Sequence, residues 1–589
     1  MLVVYGCLWH NYIMAYIIKR KNREGKEYVY LVEGYRDKDK VRQRTLKSYG
    51  QLEVLERNEP GAFERLRRQA KEGLLSEKIE KEINIPFQLD SPISNSLKNY
   101  GWMFLDDLLR LLKVEETLRV GCQGRRFKFD PTKILKLLVY QRILDPGSKT
   151  KARMNQDELF GDWKISSNDM DRALDVFAMC KDELLLTMHQ QITQTIGRTA
   201  TLVYYDVTNY YYETDLDDPD VLDEDGEIQE VGMRKRGPSK ERRPNPIVQM
   251  GLFMDQNSIP ISYELFPGNH TDPITYLPSA ERVKKQFEIE RLVSVADKAM
   301  NSKKNVLAIY ERGDGWLFSQ KHRGKRGAPK DIQEFILKPE GWEYNNRQTF
   351  AKKSTIRERN LGNGVVVKEK VLVTWSEAYA KREKIRRDGA LAYAASLRDP
   401  ERYRMTCKKG GKKYLEQYVV DKQTGERQVL HPFIGIDYEL VDFDAQFDGI
   451  NVLVTSELKM SDEEMMANYR QLYKIEECFR ITKTELKTRP VYVTEKNHIE
   501  AHFLTCFIAL VLLRIVQYLL DGEWSVSIIV DSLKSALTDE LGQGYMKVYG
   551  NEDWLKILEK LKIDWKQQIV KLEKLKQFGR GWCTTKDWR

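Results

Sequence analysis

The stretch TLVYYDVTNYYYE, residues 201–213, decides the fold. It is β-branched and aromatic, reads as a strand, and carries a single carboxylate, Asp206, directly behind the run LVYY. Two further strands follow, PIVQMGLFMD and SIPISYELFPG, with a turn at Asp255-Gln256-Asn257 between them. RLVSVAD (291–297) is another, and it too ends in a carboxylate, Asp297. Helical stretches lie near 278–289 and 302–310. Strands in a run, then strands alternating with helices, predict an α/β protein built on a mixed sheet.

Upstream, residues 97–198 change to the 3.6-residue spacing of helices: Phe104, Leu105, Leu108 and Leu109, then Ile134, Leu135, Leu137 and Leu138. Asp130-Pro131 has the order of a capped helix start. Residues 60–90 are highly charged and helical in character. Residues 14–58 alternate apolar and polar and predict a small β module with turns at Arg23-Glu24-Gly25 and Asp37–Lys40. The first segment does not read as a signal peptide, since its positive charges follow the apolar stretch instead of preceding it, and translation is expected to start at Met14, which AYIIKRK follows at once as a strand start.

Downstream, residues 312–445 read as strands and basic loops around a charged helix near 376–398. FDGINVLVTSEL (447–458) is a strand, and 461–485 and 498–520 are helical. The predicted division is 1–58, β module; 59–198, helical domain; 199–311, first part of the core; 312–445, β-rich insertion; 446–521, second part of the core; 522–589, helical lysine-rich tail.

Apolar residues make up 41% of the 589, enough for a large core, so a disordered chain is excluded. Net charge is only +9, but it is unevenly placed. Gln320–Leu430 holds 27 Lys/Arg against 14 Asp/Glu, a balance of +13, so the remainder carries 9 − 13 = −4. Such a segment fits either a polyanion partner or a solvated surface. Seven cysteines without a CxxC fit free thiols in a reducing compartment, and a cytoplasmic, nucleoid-associated location is expected. The apolar run 503–520 approaches membrane-spanning length, but Arg514 lies inside it and Glu500 and His502 at its start. It reads as a buried core helix, and no membrane association is expected.

No Walker A, G-x-G-x-x-G, H-E-x-x-H or G-x-S-x-G motif occurs. His498, His502 and Cys506 have metal-ligand spacing on one helix, yet lack a fourth ligand and read as a core flank. The acidic run 214–230 reads as a solvated loop, since its carboxylates lack the glycine spacing of a calcium loop. Asp206 and Asp297 end apolar strands, where sites gather in α/β sheets, and Glu476 lies on a helix with an apolar face. Three carboxylates from three distant elements suit two hard cations about 4 Å apart. A turn or helix cap would also explain either aspartate.

Taken together, YYDVTNYYYE around Asp206, VADKAMNSKKN around Asp297, and the spacing Y-x6-E-x6-K at Tyr469, Glu476 and Lys483 resemble the DDE transposases of bacterial insertion sequences. The likeness is to the insertion-sequence-four superfamily with its Y…R…E…K signature, and it covers roughly residues 14–520. The GxSKxxR segment (Gly237, Ser239, Lys240, Arg243) and the PGNxxD segment (Pro267 to Asp272) fall in the family's order. The resemblance implies an RNase H-like core with an insertion between the second Asp and the Glu, here 476 − 297 = 179 residues apart. It implies two Mg²⁺ ions, or Mn²⁺, held by Asp206, Asp297 and Glu476. It implies DNA-phosphate contacts from Tyr469, Lys483, Lys240, Arg243 and Arg480, and end DNA lying along the basic insertion. Partners would be double-stranded DNA with terminal inverted repeats and target DNA, with a dimer in the synaptic complex. An insertion aromatic, Trp342 or Trp375, could receive an unstacked base, although each reads first as a plain core residue. The chain departs from the signature at one place: Leu472 stands where the family has Arg.

Overall fold

In the computed structural model the stretch 202–211 is a strand, and a nine-stranded sheet is assembled around it. The structure describes residues 15–22, 25–37, 40–71, 97–241, 243–270, 272–324, 328–396, 415–418 and 433–583. The reading of Met14 as the start, most of both N-terminal turns and the second half of the 60–90 stretch lie outside these residues. Two compact units divide the chain, Met1–Pro92 and Ile93–Arg589.

In the first unit, β1 (Ala15–Lys21), β2 (Glu27–Asp37) and β3 (Lys40–Gln51) form an antiparallel sheet with β2 central. The unit does not stop at residue 58. Helices Leu52–Asn58 and Ala62–Lys71 follow, and Leu66 and Ala70 close a small core over Ile17, Val29 and Leu31. A three-stranded sheet alone has no partner for its apolar face, so the helices complete it.

In the second unit the large sheet comprises β4 (Leu202–Tyr211), β5 (Ile247–Met254), β6 (Pro260–Pro267), β7 (Val293–Ala296), β8 (Gly315–Ser319), β9 (Glu343–Tyr344), β10 (Phe350–Gly362), β11 (Val365–Ser376) and β12 (Ile450–Thr455). Their order is β9-β10-β11-β12-β8-β7-β4-β5-β6. β4, β7 and β8 run parallel, and the hairpin β5–β6 adds antiparallel to β4. The first strand is therefore central, with its hairpin on one side and two parallel strands on the other. This arrangement agrees with the RNase H-like core that the resemblance implies.

Two sequence expectations need correction here. β8 belongs to the core sheet, although 312–445 was assigned whole to the insertion. The long hairpin β10–β11 is not a separate subdomain either. Lys370–Trp375 of β11 pairs with Ile450–Thr455 of β12, so the insertion prolongs the core sheet. An open strand edge satisfies its backbone by taking on another strand, and no local signal in the hairpin sequence reveals that. The charged stretch after it is one helix, Glu377–Ser396.

Helix Lys496–Leu519 is long and apolar enough to cross a membrane by length and composition, and 94% of its most apolar window is buried inside the fold. It packs on Pro131–Leu144, on Ser167–Met179 and on β6, and so serves as the shared core of helical domain and sheet. Asp130 caps Pro131–Leu144 as read, accepting bonds from the Thr132 and Lys133 amides at 2.9 and 3.2 Å.

The C-terminal region is not a helical tail. Leu537–Gly542, Tyr545–Val548 and Ile569–Lys571 form a sheet with Lys98–Asn99. The turn Gly542-Gln543-Gly544 has φ values of 98°, 51° and 76°, which the two glycines adopt cheaply. The lysine-rich run breaks at Lys562 and returns as a strand. Tyr100 receives the indole N–H of both Trp554 and Trp565, at 3.3 and 3.2 Å, so this region closes onto the start of the unit.

The two glycine motifs meet. Gly237 and Gly268 pass so closely that a Cβ on Gly237 would overlap the Gly268 carbonyl, and one on Gly268 the Lys235 carbonyl. Gly237→Ala is expected to lower unfolding stability by about 1–3 kcal/mol. Gly389→Ala, inside helix Glu377–Ser396 with open space around it, should be neutral or stabilising by up to about 1 kcal/mol. Denaturant melts of the two variants beside wild type measure both.

Candidate active site

Register brings the first two carboxylates together. Val293, Ser294 and Val295 of β7 pair in parallel with Leu202, Val203 and Tyr204 of β4. Two residues beyond Val295 is Asp297, and two beyond Tyr204 is Asp206, so the aspartates stand on adjacent strands at the same level. Parallel partners at one level point to the same face, about 5 Å apart at the backbone. Asp206 is half-buried and accepts from the Val207 amide at 2.8 Å. Asp297 is exposed; it caps the turn Lys298–Met300 through the Lys298 amide at 2.7 Å and accepts the Ser319 hydroxyl at 2.9 Å.

The third carboxylate comes on helix Tyr473–Thr484, whose buried face is Ile475, Cys478, Phe479, Ile481 and Thr482. Thr482 meets the Tyr210 hydroxyl at 2.6 Å, and Cys478 lies against Met254, the β5 partner of Tyr204. Glu476 lies on the exposed side of this helix, half a turn before Cys478. The Tyr469 phenol is half-buried. Burial pushes it up to about 12, a bond with Ser319 works against that, and the charges of Asp297, Glu476 and Asp206 add to it. Among the described residues no three His, Cys, Asp or Glu side chains stand close enough to hold an ion as placed.

The choice between Glu476 and Glu477 follows from the helix faces. Glu477 turns inward to the Arg514 guanidinium at 3.1 Å and to Lys474 at 3.3 Å. Burial opposes its ionisation, but Arg514 and Lys474 outweigh burial and hold its carboxyl below the usual range. Arg514, 2% exposed, also donates to the Lys474 carbonyl at 2.9 Å and to Cys478 Sγ at 3.2 Å. It grips the helix on both sides of Glu476. Sequence reading used Arg514 only as an argument against a membrane span.

Cations gather beside Asp206. Lys483 Nζ donates to Thr208 Oγ1 at 2.7 Å and lies 3.6 Å from Glu241. Burial, then neighbouring Lys240, bring the Lys483 ammonium down to about 8 against the pull of Asp206. Lys240 Nζ donates to the Val207 carbonyl. Arg243 is exposed, its guanidinium 4.1 Å from the Tyr211 ring. Arg489, which sequence reading did not single out, pairs with Glu241 and lies over the same ring. Arg480 is not part of this group; it is exposed and lies 3.7 Å from Glu477. Leu472 caps the Glu476 helix and packs against the core.

A network from the insertion supports Asp297. Glu369, fully buried, accepts from Arg357 at 2.8 and 3.0 Å, from Arg359 at 3.0 Å and from the Trp316 indole at 3.1 Å. Arg359 also donates to Asn301 Oδ1 at 2.7 Å, and Asn301 to the Ser319 carbonyl at 3.1 Å. Asn301 lay within the quoted VADKAMNSKKN, but its partner 58 residues away is a tertiary fact. In the hairpin, Lys352, Arg357, Arg359 and Lys370 are thus spent on ion pairs within the fold. Trp342 and Trp375 are both half-buried and packed on the core. The acidic run 214–230 is more than a solvated loop: Asp217, Asp218 and Asp220 pair with Arg236, Arg234 and Lys235. His502 bonds the Thr488 carbonyl at 3.0 Å, with Cys506 Sγ 4.0 Å away.

Comparison with known proteins bears on this arrangement. Residues 230–512 match the transposase DDE domain, a span that includes Asp297 and Glu476 and begins after Asp206. Residues 16–78 match the N-terminal domain of the IS1634 family transposases. No curated protein matches the chain. Among solved structures it is similar to the "Mos1 transposase paired-end complex with left transposon end", at 13% identity and a TM-score of 0.13. That match covers 43% of this chain and 66% of the other, just under two thirds of its length. The class defined by the DDE domain is that of the metal-dependent polynucleotidyl transferases that move DNA. The chain thus carries, in sequence, an N-terminal domain like that of the IS1634 family transposases and a transposase DDE domain.

Proposed function

We propose that the chain cuts DNA at the ends of an insertion sequence and joins the freed 3′-hydroxyl to target DNA. The observation that carries this reading is the parallel register that sets Asp206 and Asp297 side by side on adjacent strands, with Lys483 and Lys240 bonded to the residues next to Asp206. The Y…R…E…K subgroup remains the finer reading, with Leu472 at the Arg position. Asp206, Asp297 and Glu476 would hold two Mg²⁺ ions, or Mn²⁺; carboxylate oxygens are the donors such hard cations prefer. When bound, the ions supply charge stabilisation to the attacking and leaving oxygens of an in-line displacement.

The chain's own groups bind and orient the DNA. In the first step water displaces the 3′-oxygen at the element's boundary, leaving a 3′-hydroxyl and a 5′-phosphate. In the second, that hydroxyl's oxygen displaces a 3′-oxygen of the target, and the proton passes to solvent. Lys483, Lys240 and Arg243 hold the end phosphates, and Tyr469 packs beneath the carboxylates. Double-stranded DNA with terminal inverted repeats and target DNA are the partners, in a dimeric synaptic complex at the nucleoid. A DNA-binding protein without cleavage is the alternative that Leu472 favours. Cleavage of DNA carrying the element's repeats, with Mg²⁺ or with EDTA, separates the two: metal-dependent cuts at the boundary support the transposase, and binding without cuts the alternative.

A pH effect follows from Lys483. An ammonium that titrates near 8 is charged at pH 7 and largely neutral at pH 9, so its pull on phosphate fades across that interval. End-DNA affinity is expected to fall from pH 7 to 9 in wild type and to fall less in Lys483→Arg, whose guanidinium stays protonated. Binding titrations at the two pH values check this.

A further inference from the structure

We infer that a basic groove in the helical domain is a second DNA-backbone surface, separate from the carboxylate site; this rests on the transposase reading above. Loop 122–130 and helix Ser167–Met179 border a cavity of about 670 Å³. The loop alternates. Phe127 and Phe129 are half-buried with ring centroids 5.2 Å apart, while Arg126 and Lys128 point out between them. Arg125 precedes them and Arg172 faces from the helix, all exposed. The phenylalanines anchor an irregular segment that would otherwise not hold its cations in place.

Charge accounting distinguishes this groove from the insertion. Four of the hairpin cations, Lys352, Arg357, Arg359 and Lys370, are paired with Asp and Glu within the fold, whereas Arg125, Arg126, Lys128 and Arg172 have no ion-pair partner among the described residues. One carboxylate lines the groove, Asp175, and it is engaged by Asn497 at 3.2 Å and lies 4.0 Å from His498. Four unpartnered cations held together repel one another at a cost, and a polyanion relieves it. The extended segment sets Arg126 and Lys128 two residues, about 7 Å, apart on one side. That suits the repeated charges of a nucleic-acid strand better than a single small anion.

The test uses the full chain and a duplex carrying the element's terminal repeat, with binding measured over a range of salt. The variant is Arg126→Ala/Lys128→Ala/Arg172→Ala, beside Glu476→Gln. The expected result is an affinity loss of at least about tenfold at low salt, with the slope of log affinity against log salt reduced by about two to three. Thermal unfolding should be unchanged, because the substituted side chains are exposed. Restoring charge with Arg126→Lys and Arg172→Lys beside native Lys128 should recover most of the binding. Unchanged affinity and slope in the alanine variant would overturn the proposal while wild-type binding keeps the transposase reading. Absence of duplex binding by wild type would overturn both, and loss of RNA binding with duplex binding intact would reassign the groove to RNA.

Discussion

Glu476→Gln is expected to reduce DNA cleavage by about 10³-fold or more while end binding stays within about twofold of wild type. The substitution keeps size and hydrogen-bonding shape and removes one negative oxygen donor. Glu476 is exposed on its helix and belongs to no ion pair that stabilises the fold among the described residues, so the loss falls on chemistry and not on folding. The control is Glu477→Gln, one residue on. That side chain faces Arg514, so its loss should lower stability and affect cleavage only indirectly. Gel assays of boundary cutting, paired with binding titrations, measure both. Equal loss of cleavage in the two variants, or a fully active Glu476→Gln, would remove Glu476 from the site.

Arg514→Met should cost about 3–5 kcal/mol, the largest stability effect among these variants. Met approximates the stem of Arg but brings no donor, so the Lys474 carbonyl loses its guanidinium partner and the half-buried Glu477 carboxylate keeps only Lys474 and the more distant Arg480. Because the Lys474–Cys478 segment flanks Glu476, cleavage should fall as well, by about 10²-fold for a shift near 1 Å. A double variant with Glu477→Gln should recover more than 1 kcal/mol, since it removes the stranded charge. Denaturant unfolding of the single and double variants measures the coupling. Additive losses would mean that Arg514 and Glu477 do not act as a pair.

The strands that hold the aspartates were legible because each combines β-branched and aromatic residues around one carboxylate. The capped helix at Asp130-Pro131 and the burial of Lys496–Leu519 around Arg514 were legible for similarly local reasons. The C-terminal sheet was not. Its lysine-rich stretch has helical spacing, yet the positive-φ position at Lys562 breaks it, and the turn at Gly542-Gln543-Gly544 precedes it. The function of the two glycine motifs was likewise hidden, since Gly237 and Gly268 matter through each other.

By itself, then, the sequence marked Asp206, Asp297 and Glu476 as candidates, with their order along the chain, and the mixed α/β class of the fold that carries them. These follow from residue type and spacing, which local physics reads directly. Tertiary structure alone decided that Glu477 serves Arg514 while Glu476 is exposed. It decided that Lys352, Arg357, Arg359 and Lys370 of the insertion's hairpin are neutralised inside the fold, whereas the cations of the Arg125–Phe129 loop have no ion pair among the described residues. A charge count cannot tell a paired cation from an unpaired one, because pairing depends on residues dozens or hundreds of positions away that only the packed chain brings within 4 Å.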